Sequence, residues 1–381
     1  MKKYLKLYST EIVFILVSII FILLTSFEIL NPMNITAIFL QNSYVFILVV
    51  GMTFCMSVKD NIDISVGSFA CFICTMGGVF MSVLKINTLL SVILLFILGI
   101  LWGLLAGYII AYFSIPAWIT TLGGYLAFRG LGVALINNFS NTGSIVGIHD
   151  SFIRLFSGKA FATRIGTFSY GSLLFCILLA ILFITYRYLS DKKEAVKTST
   201  LSIISYIIAL IISIVIGVSF ALTGGVPISF IWMILLVGIS VIWIDKTTNG
   251  RKLIMLAANL ENARLAGINT NKAIILTYVF MAICATLTGC IVLARFHASS
   301  SYAGVNFEMD TIAACAIGGY SMHLGKQKIY KGILGAGLIG IINLGLSLIG
   351  FDMNYQLIIK GIIILLAVSF DRYLKKDKYE L

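Results

Sequence analysis

Asp63, Arg129, Glu308, Asp310, Gln356 and Lys360 carry charge or amide chemistry within or at the edges of long apolar runs. An ionisable group in such surroundings is costly unless it is capped, paired or wetted, so each needs a partner or a place on a polar path. Asp63, in "NIDISVGS", either caps a helix beginning at Ile64 or lines such a path. Arg129 stands late in "IPAWITTLGGYLAFRG" (115–130), where it either snorkels to the outer surface or meets a carboxylate in the bundle. Glu308 and Asp310 lie in "FEMDTIAACAIGG" (307–319), and Gln356 and Lys360 sit one turn apart on one face of "NYQLIIKGIIILLAV" (354–368). Both sets fall toward the same side of the chain's apolar layer. The expectation is that Asp310 or Glu308 partners Lys360 or Arg129, as a structural ion pair or as part of a pathway.

A second group of polar residues lies in "GRKLIMLAANLENARLAGIN" (250–269). Asn259 is a good N-cap, because its side-chain oxygen can accept from free N–H groups of the first turn. Glu261 follows where the helix dipole favours an anion, Arg264 lies near the end, and Gly267 suits the left-handed position after a helix. The signals predict a helix of about two turns, with Leu260, Ala263 and Gly267 on one face of small and apolar residues. Such an element, with Arg251 just upstream, is either a solvated linker or a docking helix for a partner.

Other chemistries lack their residues. The seven cysteines all lie in apolar segments, and Cys71–Cys74 has no second pair or histidine cluster to complete a zinc site, so they read as small hydrophobes. His149, His297 and His323 are scattered and form no triad or metal set. "HLGKQ" lacks the glycine spacing and the Ser/Thr of a phosphate loop. We expect no cofactor, no metal and no catalytic residues, and any ATP site belongs to another chain.

The elements that must position these groups are membrane helices. Of 381 residues 60% are hydrophobic and 11% charged, and the mean hydropathy is +1.06; soluble domains average roughly 45–50% apolar and about 25% charged. A span needs about 20 apolar residues. Candidate spans are 11–30, 44–58, 64–84, 89–113, 117–136, 170–188, 201–222, 228–245, 273–294, 309–322, 332–350 and 355–371, with 44–58, 64–84 and 309–322 short or polar enough to be broken or tilted. The basic N-terminus and its apolar run read as a retained first helix rather than a cleaved signal. With the N-terminus inside, twenty of the 27 Lys and Arg residues fall in cytoplasmic segments, five in outer segments, and Arg129 and Lys360 within spans. That bias supports an even number of crossings with both termini cytoplasmic. The net charge of +12 therefore reflects loop placement and not nucleic-acid binding, since no Lys/Arg-rich face with interleaved aromatics is present. The outer segment 137–169 is a polar loop, and the hydrophilic runs 186–200, 250–269 and 323–331 are too short to fold as soluble domains.

Five motifs in order, "NIDISVGS", "IPAWITTLGGYLAFRG", "ANLENARLAGIN", "FEMDTIAACAIGG" and "YQLIIKGIIILLAVSFD", resemble the permease subunits of ribose/xylose/galactose-type ABC importers. The resemblance covers nearly the whole chain. The long segment 137–249, with "TGGVP" at 223–227, is most similar to xylose-type permeases. What the resemblance implies is an all-α, polytopic permease fold of about ten to twelve transmembrane helices, one domain over 1–381, in the bacterial cytoplasmic membrane. It implies an extra helix pair at about 170–222, a coupling loop at about 246–272, and a coupling helix at Asn259–Gly267. It also implies a cytoplasmic ABC ATPase, an extracytoplasmic sugar-binding protein and a second permease copy as partners, with the bilayer around them. One segment departs from the family pattern: in "GGYSMHLGKQKIYKG", Tyr320, Leu324 and Lys326–Lys328 replace small residues, which alters the expected backbone packing over 319–332. Two rivals are weaker. An ion-coupled secondary transporter favours several carboxylates near the membrane midplane, and here the few present lie at span edges. A membrane-embedded enzyme needs clustered His, Asp or Cys. The sugar, whether xylose, another furanose or pyranose, or a nucleoside, is not read from any residue.

Overall fold

The computed structural model describes residues 9–58, 61–163, 168–193, 200–319 and 329–375. Among them are sixteen α-helices and four very short strands. The first helices are α1 (Ser9–Leu24), α2 (Pro32–Gln41), α3 (Ser43–Met56), α4 (Val66–Gly78, continued by a π-turn over Val79–Val83), α5 (Thr88–Tyr112) and α6 (Ala117–Phe139). A connecting segment follows, with β1 (Ser144–Val146), α7 (Asp150–Ser157) and β2 (Lys159–Ala160). Then come α8 (Tyr170–Lys193), α9 (Thr200–Leu222), β3 (Val226–Pro227), α10 (Ile228–Lys246), α11 (Thr248–Ala258), α12 (Leu260–Leu265) and α13 (Thr270–Phe296). The chain closes with β4 (Ala298–Ser300), α14 (Phe307–Ile317), α15 (Ile329–Ile349) and α16 (Met353–Lys375).

Each expected span contains a helix, with corrected limits. The first ends at Leu24 rather than Leu30, and a 3-10 turn (Glu28–Leu30) follows it. The span expected at 44–58 is preceded by a helix not anticipated, α2, which Asn31 caps by accepting from Met33 N and which Pro32 opens. The pair α2–α3 is bent by 47°, so the break expected here lies at its start. Among the described residues six helices are long and apolar enough to cross a membrane, or seven if the bent pair is one span. Helix α14 has 11 residues, about half the thickness of the hydrocarbon core at roughly 1.5 Å per residue. Residues 320–328 of the atypical segment lie outside the described residues.

Apolar side chains fill the interior and also cover much of the surface, as a lipid solvent allows. Large apolar side chains are exposed along α1, α5, α8, α9 and α16, while the centre is packed from α3, α4 and α13, with most α3 side chains fully enclosed. Without a hydrophobic drive between helices in lipid, close backbone approach supplies the contact energy. Gly99, Gly103 and Gly107 of α5 meet the backbone and Thr286 side chain of α13 so closely that a methyl group on any of them would overlap. The pair α8–α9, the expected extra pair, packs together and reaches the bundle through α2; the Tyr186 hydroxyl also donates to Asp245 on α10. β1 pairs antiparallel with β4 and β2 with β3, so the described part of the expected loop beyond Phe139 is folded, with its Phe152 and Phe156 buried. All seven cysteines are free and buried, in agreement with their reading as hydrophobes.

Candidate functional site

Helix α14 begins after the turn that follows β4, and its first turn carries both Glu308 and Asp310. Asp310 is the centre of a polar network. Lys360 of α16 donates to its Oδ1 at 2.7 Å, with side-chain exposures of 12% and 5%. The Tyr44 hydroxyl donates to Oδ2 at 2.6 Å, and Asn343 Nδ2 reaches the same oxygen at 3.4 Å. Asn343 also donates to Asn42 Oδ1 at 2.8 Å, and the Tyr44 ring stacks on Phe307 with centroids 3.7 Å apart. Nearby, Arg295 Nη1 donates to the carbonyls of Leu40 and Gln41, the last of α2. Carbonyls freed at a helix end need donors, and the bend between α2 and α3 is held by Arg295 on one side and by the Asn42–Asn343–Asp310 chain on the other. Of the pairings left open by sequence, the structure selects Asp310 with Lys360. Tyr44, Asn42, Asn343 and Arg295 were not anticipated; the signal for the asparagines was an amide within an apolar run, beside Gln41 in "FLQNSYVF" and alone in "IGIINLGL".

Among the described residues Arg129 makes no ion pair with a carboxylate. Its Nη1 donates to the backbone carbonyls of Ser301 (3.2 Å) and Ala303 (2.9 Å), in the turn between β4 and α14. Glu308, 3% exposed, keeps Oε2 without a hydrogen-bond partner. Against it lies Gly67 of α4, where an added methyl group would overlap the Glu308 carboxylate and the Gly304 carbonyl.

Asp63 is buried and Gln356 is not in the Asp310 network. The Asp63 Oδ1 accepts from Ser65 N at 2.8 Å and Ser65 Oγ at 2.6 Å, and Trp102 Nε1 reaches Ser65 Oγ at 3.3 Å. The cap expected of Asp63 is not formed: α4 starts at Val66 and not Ile64, its N-cap is Ser65 with no side-chain cap bond, and Asp63 closes a local turn on Ser65 instead. Gln356 Nε2 donates to Phe351 O at 2.8 Å, in the turn just before its own helix.

The stretch 250–269 is two helices. "TNGRKLIMLAA" forms α11, capped by Thr247, so Arg251 belongs to a helix that the polar reading missed. The short helix over 259–267 is present as α12. Asn259 Oδ1 accepts from Glu261 N (2.9 Å) and Asn262 N (3.0 Å). At the other end Ile268 N donates to Ala263 O and Gly267 N to Arg264 O, with Gly267 at φ +77°, a Schellman closure. The expected small-residue face divides: Ala263 is 3% exposed and faces inward, Leu260 is half-buried, and Gly267 is exposed. The outward side carries Glu261, Arg264 and Leu265, the last 87% exposed.

The relatives of this chain are transport proteins. It is 29% identical over 358 residues to the xylose transport system permease protein of Haemophilus influenzae, covering 91% of each chain. It is 28% identical over 352 residues to that of Escherichia coli, covering 91% of this chain and 86% of the relative. To the ribose import permease protein of Escherichia coli it is 29% identical over 361 residues, covering 94% and 90%. No solved structure matches. Residues 34–368 match the family described as branched-chain amino acid transport system / permease component. With a helical bundle whose apolar surface suits lipid, and a family match over most of its length, the chain belongs to this family of polytopic membrane permeases.

Proposed function

We propose that the chain is the membrane-spanning permease of an ATP-driven importer for a monosaccharide of the xylose or ribose kind. The observation that carries the substrate class is its near end-to-end similarity to xylose and ribose permeases. In this reading two copies form the pore in the bacterial cytoplasmic membrane, both termini lie in the cytoplasm, an extracytoplasmic binding protein delivers the sugar, and a separate ATPase supplies the energy. The excess of Lys and Arg in the segments assigned to the cytoplasm supports that orientation.

Helix α12 is the proposed point of contact with the ATPase. Its two caps and the buried Ala263 make it a rigid platform, and Glu261, Arg264 and Leu265 face outward from it. ATP-driven movement of the partner biases the pore between two states only through a contact that differs between them. Arg251, near the start of α11, the helix just before α12, is assigned to the same coupling surface.

The test is reconstitution in liposomes with and without the ATPase and binding protein. Uptake of xylose or ribose is expected only with both partners and ATP; uptake by the chain alone sinks the reading. Glu261→Ala and Arg264→Ala are expected to lose sugar-stimulated ATP hydrolysis while inserting normally. Unchanged coupling in both would remove α12 from the mechanism.

A further inference from the structure

Two buried polar atoms have no partner among the described residues: Glu308 Oε2, which lies against Gly67, and Ser68 Oγ, on the residue after Gly67. Both side chains are nearly or fully enclosed, at 3% and 0% exposure. An unsatisfied buried acceptor costs free energy that a structural role alone does not return, so each such group calls for an explanation. The contact itself is between glycines. A methyl group on Gly67 would strike Glu308 and the Gly304 carbonyl, and one on Gly304 would strike the Gly67 carbonyl. Neither glycine sends a side chain across, so these two backbones can separate without a rotamer change at either residue. Arg129 holds the other side of the same turn through the Ser301 and Ala303 carbonyls.

We propose that Glu308, Ser68 and Arg129 form a hydroxyl-binding station on the translocation path, closed in this state by the Gly67–Gly304 contact. Its ligand is an uncharged polyhydroxylated solute, a refinement that rests on the monosaccharide reading above. A carboxylate accepts from a sugar O–H, a serine hydroxyl both donates and accepts, and a guanidinium donates. One anion and one cation together favour a ligand without net charge, because an added charge would stay uncompensated on burial. Since Arg129 Nη1 already serves two carbonyls, its fork is not presented whole to a ligand carboxylate, which favours a sugar over an amino acid.

The experiment uses the chain reconstituted with its ATPase and binding protein. Ser68→Cys is challenged with a membrane-impermeant methanethiosulfonate, with and without ATP, against the unsubstituted chain as background for its seven buried cysteines. Labelling is expected in one nucleotide state, slowed about tenfold by D-xylose or D-ribose. Glu308→Gln is expected to raise the sugar KM about tenfold, the loss of one charge-assisted hydrogen bond, and Glu308→Asp to recover part of it. Ser240→Ala, which removes a buried unpartnered hydroxyl elsewhere, is expected to leave KM unchanged. A transporting wild type in which Ser68→Cys is never labelled and Glu308→Gln keeps its KM overturns the station. Protection by leucine and not by a pentose overturns its ligand class. Absence of sugar uptake by the wild type instead overturns the monosaccharide reading, and state-dependent labelling of Ser68→Cys still decides whether the contact opens.

Discussion

Glu308 and Asp310 stand two residues apart in the first turn of α14 and are equally buried. Asp310 meets Lys360, Tyr44 and Asn343; Glu308 has one oxygen with no donor. Side chains two apart on a helix point to different sides, so one carboxylate faces α3, α15 and α16 and the other faces Gly67 of α4. The difference teaches that sequence proximity says nothing about whether a buried charge is spent on structure. Where every acceptor is satisfied, the group ties helices together. Where one is left over, it is open to a role in another state.

Four substitutions separate the two cases. The largest effect is expected from Asp310→Asn, which leaves the Lys360 ammonium buried without its counter-charge and costs about 3–5 kcal/mol. Thermal unfolding in detergent reads this, and the double variant Asp310→Asn with Lys360→Met is expected to recover most of the loss. If the double variant is as unstable as the single, the ion pair is not what Asp310 contributes. Tyr44→Phe keeps the stack on Phe307 and removes one donor to a charged acceptor, for about 1.5 kcal/mol; the same melting experiment checks it. Asn343→Leu breaks the bridge from Asp310 to Asn42 and is expected to cost about 1–3 kcal/mol through the unpaired Asn42 oxygen. Hydrogen exchange at the α2–α3 bend, rather than global unfolding, is its most direct readout. Glu308→Gln is expected to have the smallest effect on stability, within about 0.5 kcal/mol and of stabilising sign, since it removes a charge whose acceptor is unmet. A loss there as large as that of Asp310→Asn would erase the contrast.

Much of this architecture is legible in one dimension. Twelve apolar runs mark twelve helical segments, because only a helix satisfies its own backbone in lipid. The cap of α12 is local chemistry: Asn259 and Gly267 lie eight residues apart, and their hydrogen bonds stay within that window. Helix α11 was missed because its buried Leu253 and Leu256 are interleaved with Arg251 and Lys252, and the charges masked the period. Helix α2 was missed for another reason: the polar residues of "NPMNITAIFLQN" look like a loop until the contacts of α2 with α9 and α15 are seen.

The outer network shows where sequence reading stops. That a carboxylate near Glu308 or Asp310 meets a cation near Lys360 or Arg129 follows from the cost of isolated charge. Which of them pair depends on the azimuth of four helices, and Arg129 went instead to two carbonyls of a turn. Composition, span positions, charge bias and helix caps are set by residues within a few positions of one another or by sums over the chain, so sequence alone determined them. The contacts that hold the 47° bend, the Lys360–Asp310 pair and the glycine contact over Glu308 join residues dozens to hundreds of positions apart. Only the packing of the helices decides those, because a helix's pattern states which side is apolar but not what will lie against it.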